Sequence, residues 1–277
     1  MNSLHPSEPD DCLSLARLRI ESESCWTLDH WNSFIGDARH AEIMHASWQA
    51  TEVKLWYDSW LWYQILNQAG AIDSVVNALE LLPGTSFTIP IALTRKGFVG
   101  TLDRVDEAAE FSCPKAISFP GRWIQRNLLE QSINVVQYDL ILGNHILDDL
   151  LISMEFPNQD NRNLFYADAD LSKRAWAQVV NSDTRTISEN RVVDVLLGIV
   201  ERMKVGAYLV IRHYPPSIAI TSGDAARIAV EMGVYRKLVA ELRTLCVASL
   251  RLPDVSQVCV PRGSGLTNSF IVVQRLR

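Results

Sequence analysis

The sequence predicts an α/β protein, a mostly parallel sheet preceded by a helical N-terminal region. Three observations predict it. Beyond Ala71, short apolar runs alternate with helical stretches, as buried strands alternate with their crossovers. Before that point the pattern is helical, with a break near Gly36 and no clear strand. Finally, 48% hydrophobic against 21% charged residues over 277 positions is enough to bury a large core.

The elements follow in order. Strands are expected at Ala78 to Leu81, Gly97 to Leu102, Lys115 to Phe119, Val135 to Leu142 and Ala207 to Ile211. A terminal hairpin is expected from Ser256 to Val260 and Ser269 to Gln274, joined by Arg262-Gly263-Ser264-Gly265. Helices are expected at Ser47 to Ala69, Pro90 to Lys96, Arg122 to Gln131, Arg191 to Met203 and Gly223 to Leu245. Asn158 to Ser188, which carries Asp168 and Asp170, reads as an insertion over the site. The chain thus divides into residues 1–70, helical and tryptophan-rich, and residues 71–277, the sheet domain. No internal repeat is visible.

The net charge of −6, without clustered Lys and Arg, argues against nucleic acid as a ligand. No apolar run reaches the ~20 residues that cross a bilayer, so no membrane role is expected. The first residues, MNSLHPSEPDD, lack the basic-then-apolar order of a signal peptide. The five cysteines are scattered and never form a Cys-x-x-Cys pair. Together these features lead to the expectation of a cytoplasmic protein without disulfides or structural zinc.

Chemistry is expected at strand ends, because ligands of open α/β sheets sit past the carboxyl ends of the strands. In Tyr138 to Leu151, YDLILGNHILDDLL, a buried strand runs straight into Asn144, His145, Asp148 and Asp149. In Glu80-Leu81-Leu82-Pro83-Gly84-Thr85-Ser86 the first strand turns toward a helix. Such a turn offers free N–H groups, and Gly84 admits close approach of a ligand. The next strand is expected to end at Leu102-Asp103, where a carboxylate could accept from two ribose hydroxyls. About 20 residues separate turn and acid, as that geometry requires.

On these residues the chain resembles the class I S-adenosylmethionine-dependent methyltransferases. The resemblance covers roughly Ala71 to Arg277 and includes the terminal strand Ser269-Phe270-Ile271-Val272-Val273. It implies a Rossmann-like, seven-stranded sheet whose last two strands form a hairpin, with the N-terminal helices as a lid. It implies S-adenosylmethionine as cosubstrate or substrate, no metal, and a small-molecule partner. Glu80 would orient the methionine portion, directly or through water. Gly84, with Thr85 and Ser86, would line the cofactor loop, and Asp103 would hold the ribose. Ser118, Phe119 and the Gly121-Arg122-Trp123 turn would lie near adenine. Asn144 would line the methionine side, with His145 close by.

Two departures bear on the ligand. The family usually has three glycines after the acid, spaced by one. Here Leu82, Gly84 and Ser86 stand at those places, which disfavours a dinucleotide with its bulky pyrophosphate. The Asn/Asp-Pro-Pro-aromatic sequence, which in the family serves amino groups of bases and glutamines, is absent.

Six of the eight tryptophans lie between Trp26 and Trp62. Trp56, Trp60 and Tyr63 share a face of one expected helix. Aromatic stripes at this spacing usually belong to a core. The alternative is a lid in which one of them faces a sulfonium, since aromatic faces attract desolvated cations by about 2 kcal/mol. His145 and His213 each follow an expected strand, so each could be a general base or an ordinary loop histidine. Tyr214 is a further candidate for substrate contact. Asp148 and Asp149 lack a third oxygen ligand for a metal, and Asp148 is expected to start or cap the following helix.

Three functions remain open. Methyl transfer to a small metabolite is the family default. Some proteins that resemble this family instead cyclise S-adenosylmethionine to azetidine-2-carboxylate and release methylthioadenosine, which needs a closed aromatic box. A non-catalytic partner subunit is the third, with the tryptophan region as interface; a homodimer is compatible with the sequence.

Overall fold

The computed structural model describes residues 52–84, 86–108, 118–156, 169–213, 225–246, 250–251 and 270–277. The elements in chain order are α1 (Glu52–Gln68), β1 (Asn77–Leu81), α2 (Thr88–Lys96), β2 (Thr101–Asp106), β3 (Trp123–Gln125) and β4 (Leu140–Asn144). They continue with α3 (Ile146–Glu155), α4 (Ala169–Asn181), α5 (Arg185–Arg202), β5 (Tyr208–Arg212), α6 (Ala225–Cys246), β6 (Leu250–Arg251) and β7 (Phe270–Arg275).

One mixed sheet runs in the order β3-β2-β1-β4-β5-β7-β6. The strands β1 to β5 are parallel, and β7 enters antiparallel between β5 and β6. Strand order reverses at β1, which places the switch point between β1 and β4.

Two apolar layers cover the sheet. Leu61, Trp62, Ile65 and Leu66 of α1 join Ile89, Ile91, Ala92 and Leu93 of α2 on one face, against Ala78, Leu140, Leu142, Val210 and Val272. On the other face α3, α4, α5 and α6 pack on Leu79, Leu81, Val105, Ile141, Leu209 and Ile211. Successive residues of a strand face opposite layers, so every strand residue can be assigned to one of them. Strands buried on both faces read as the continuous apolar runs found for β1, β4 and β5.

Asp139 ties the amino ends of β1 and β4 together. Its Oδ2 accepts from the backbone N–H of Val76 (3.0 Å) and Asn77 (2.9 Å), and its Oδ1 pairs with Lys204.

Several expected boundaries are corrected. The second strand begins at Thr101 rather than Gly97 and runs on to Asp106. Gly97 closes α2 in the left-handed conformation, φ 73°, donating to the carbonyls of Leu93 and Thr94, so residues 97–100 form the turn out of the helix. The third strand is Trp123–Gln125, inside the helix expected from Arg122 to Gln131. A turn of backbone follows it, in which Gln131 donates to the carbonyl of Asn127. Pairing with β2 overrides the local helical pattern. The fourth strand starts at Leu140, not Val135, because residues 135–138 make a turn closed by Tyr138 N to Val135 O (3.1 Å). The insertion expected from Asn158 contains α4 and the start of α5. The strand expected from Ser256 to Val260 lies outside the described residues, as do Asp168, Trp26, Trp31 and Trp48.

Candidate functional site

Glu80 sits near the carboxyl end of β1. Leu79 and Leu81 face the α3–α6 layer, so Glu80 faces α1 and α2. It is 1% exposed and its Oε2 has no hydrogen-bond partner. Burial pushes its carboxyl from the ordinary 4.5 up to about 8. Arg104 pulls it down and Asp106 adds to the rise, both less strongly than burial. An orphaned buried carboxyl of this kind is satisfied by a ligand that carries a donor.

The loop after it carries two left-handed residues, Leu82 (φ 48°) and Gly84 (φ 51°). The backbone therefore adopts at Leu82 the conformation a glycine adopts freely, at a cost of about 1–2 kcal/mol for a residue with a Cβ. Leu82 N donates to Val105 O at 2.8 Å. Gly84 N donates to Asp106 Oδ2 at 3.0 Å, and Ala108 N to Asp106 Oδ1 at 2.9 Å. Thus Asp106, the last residue of β2, joins the β1 loop to the β2 end. It faces the same layer as Glu80, since Arg104 is opposite Glu80 in the register and Asp106 lies two residues on. Thr85 lies outside the described residues. Ser86 Oγ donates to Thr88 Oγ1 (3.0 Å) and accepts from Thr88 N (3.3 Å), an arrangement that leads the chain into α2.

Asp103 is not at the strand end. It lies mid-strand in β2, on the face opposite Glu80, 6% exposed. Its Oδ1 accepts from Arg122 N (2.8 Å). Its Oδ2 accepts from Arg122 Nη2 (2.7 Å) and from the Tyr138 hydroxyl (2.7 Å). Burial raises its pKa, but these bonds outweigh it and hold the carboxyl below the ordinary range. Asp103 thus lies on the side of the sheet away from Glu80, and the strand extends three residues beyond it, to Asp106.

Ser118 and Phe119 also fall away from the site. Pro120 O accepts from Leu102 N (2.8 Å), which places them beside the start of β2, and Phe119 packs on Phe98 with centroids 5.4 Å apart. Trp123 is at the right end: it pairs with Arg104, and its indole N–H donates to Ala108 O at 2.9 Å, just past Asp106.

Asn144 ends β4 on the α1 face. Its Oδ1 accepts from the indole N–H of Trp62 at 3.1 Å. Because that indole is a donor only, the amide orientation is fixed, and Nδ2 presents donors elsewhere. Trp62 itself is wholly buried and packs edge-on against Phe270, centroids 5.1 Å apart. Opposite Asn144 in the register stands Arg212, the end of β5. Its Nη2 pairs with Asp58 Oδ1 of α1 at 2.9 Å, in a buried ion pair, and its guanidinium carbon lies 5.6 Å from the Phe270 ring centre. Neither Asp58 nor Arg212 could be found from spacing, for they are 154 positions apart.

His145 is the N-cap of α3, left-handed at φ 60°, and its N–H donates to Arg212 O (2.8 Å). It stays beside Asn144. His213 does not: it is 1% exposed and its ring lies 4.1 Å from that of Tyr235 on α6. His213 thus packs against α6, in the layer opposite the one Glu80 faces. Tyr214 lies outside the described residues. Asp148 occupies the first turn of α3 without being its N-cap, and accepts from Arg227 Nη2 at 3.0 Å. Burial raises it to about 6 and raises Asp149 well above its ordinary value, with Asp148 adding to the latter. Among the described residues no group of three or more His, Cys, Asp or Glu could hold a metal ion.

Fold and site together define a doubly wound α/β protein, helices on both faces of one sheet, with polar residues at the carboxyl ends of β1, β2, β4 and β5. No family model matches the chain, and no curated protein matches it. Solved structures do. The plantazolicin methyltransferase BpumL, in complex with a pentazolic desmethylPZN analog and SAH, is 10% identical over 98% of this chain and 100% of its own, TM-score 0.48. The N-methyltransferase NodS from Bradyrhizobium japonicum WM9 is 13% identical over 86% of this chain and 97% of its own, TM-score 0.37. The mitomycin 7-O-methyltransferase MmcR is 12% identical over 98% and 74%, TM-score 0.43.

Proposed function

We propose that the chain binds S-adenosylmethionine across the ends of β1, β2 and β4 and directs its methyl group to a small-molecule acceptor. The observation that carries this reading is the sheet order β3-β2-β1-β4-β5-β7-β6 with antiparallel β7. It is the arrangement of the family the sequence resembles, with the N-terminal α1 as the base of a lid. The bound sulfonium would supply an activated methyl; the chain's part is to bind, orient and exclude water.

The residues fit such a ligand. Glu80 offers a buried, unpartnered oxygen to the methionyl ammonium. Asp106, rather than Asp103, offers a carboxylate at the β2 end to the ribose hydroxyls. Trp123 flanks the adenine side, and Asn144 the methionine side under Trp62. His145 is the neighbouring base for an acceptor that must lose a proton.

Glu80 also favours a second reading. Cyclisation of the aminobutyryl arm forms the N–Cγ bond, breaks Cγ–S, releases methylthioadenosine and frees a proton from the amine. The Glu80 carboxylate, ionised when the ligand's amine sits against it, is placed to take that proton. Incubation with S-adenosylmethionine alone, followed by mass spectrometry, separates the readings. Methyl transfer predicts no turnover until an acceptor is added; methylthioadenosine with an imino acid means cyclisation. A scaffold without catalysis would show no rise in melting temperature with the cofactor.

A further inference from the structure

We propose that Arg212, together with Asn144, is the seat of a carboxylate carried by the acceptor. The proposal rests on the methyl-transfer reading and names the substrate class that reading leaves open. A guanidinium has five N–H donors. In Arg212, Asp58 takes one position on Nη2, while Nε and Nη1 are fully buried without any partner. The residue is 3% exposed. Leaving such donors unmet is unfavourable, so they mark a missing partner.

The surroundings specify that partner's charge. Asn144, directly across the register, turns its oxygen to Trp62 and so presents its amide donors. Arg212 adds more donors. Asp58 is already engaged, so the polar atoms that Arg212 and Asn144 leave uncommitted are donors. A carboxylate, acceptor-only and planar, meets that set with charge-assisted bonds. The acceptor is favoured over the cofactor's own carboxylate by position. Arg212 is two strands from Glu80, roughly 10 Å at the backbone, on the side of Asn144 away from the cofactor loop.

The test uses the full chain labelled with nitrogen-15 and follows the Arg212 side-chain N–H signals, assigned by their loss in Arg212→Lys. Sodium acetate is titrated against acetamide at constant ionic strength, with and without saturating S-adenosylhomocysteine. A saturable downfield shift with acetate, absent with acetamide and kept when S-adenosylhomocysteine is bound, is expected. No response to acetate overturns the seat. A shift produced by S-adenosylhomocysteine itself, which then blocks acetate, overturns the acceptor assignment. The double variant Asp58→Leu/Arg212→Leu removes the ion pair without leaving one charge buried. It should keep S-adenosylhomocysteine affinity within about threefold (about 0.7 kcal/mol) and lose turnover of carboxylate acceptors. Loss of cofactor binding in the wild type would instead count against the methyl-transfer reading.

Discussion

Trp62 and Asn144 are joined by a hydrogen bond of 3.1 Å across 82 positions of sequence, from the indole N–H to the amide oxygen. This bond couples α1 to the carboxyl end of β4 and fixes the orientation of the amide. Replacing Trp62 with Phe removes the bond while filling much of the space. A loss of about 1–3 kcal/mol is expected, from the lost bond and the cavity, read by urea unfolding. Unchanged stability would mean that the bond does not form in solution.

Glu80 makes stability depend on pH in a defined direction. Its folded pKa of about 8 lies above the ordinary 4.5, so the folded state holds a proton the unfolded chain releases. Its contribution is unfavourable above that window and absent below it, so stability falls as pH rises from 4.5 through about 8. Glu80→Gln should therefore melt higher than wild type at pH 8.5 and nearly equally at pH 4.5. An equal difference at both pH values would contradict the shift.

Asp103 and Asp106 are expected to separate cleanly. Asp106→Ala should weaken S-adenosylhomocysteine binding by at least about tenfold, the loss of charged hydrogen bonds worth about 1.4 kcal/mol or more. Asp103→Asn should leave that affinity unchanged but lower stability at neutral pH. The Asp103 carboxyl is held below its ordinary pKa by Arg122 and Tyr138, against the effect of burial. Its stabilisation is thus present above the unfolded pKa of 3.8 and lost as pH falls through the lower folded value. Calorimetric titration of both variants reads the first effect, and melting between pH 2 and 7 the second. A tighter dependence of affinity on Asp103 than on Asp106 would reverse the assignment.

Gly121 sets the close approach of β3's leading turn to β2. A Cβ there would lie 2.0 Å from the carbonyl oxygen of Leu102, which is backbone and cannot move aside. Gly121→Ala should destabilise by about 1–3 kcal/mol or more, measured by thermal unfolding. A neutral effect would mean that the two backbones are further apart than described.

Much of the sheet was legible because its signal is local. The apolar runs of β1, β4 and β5 mark strands buried on both faces, and Asn144 follows β4 as a strand-end polar residue should. The boundaries failed where pairing decides. β2 continues through Arg104 and Asp106 because β1 and β3 supply its ladder, and an apolar run alone stops at Leu102. β3 is three residues long and lies in a stretch with helical spacing. The partners of the site were hidden for another reason. Asp58 and Arg212, or Trp62 and Asn144, meet only through the packing of α1 on the sheet, and no spacing announces such pairs. Asp106 did leave a signal: it is the last acid of the strand segment Thr101 to Asp106, with Val105 in the core register before it.

The central claim is that the ends of β1 and β2 hold a nucleoside sulfonium or its product. Isothermal titration with S-adenosylhomocysteine at pH 7, repeated in buffers of different ionisation enthalpy, tests it most directly. The account predicts saturable one-site binding with release of a proton, because the methionyl ammonium would ionise Glu80, and loss of that proton release in Glu80→Gln. Absence of binding up to roughly 1 mM ligand, an affinity weaker than about 4 kcal/mol, would contradict it.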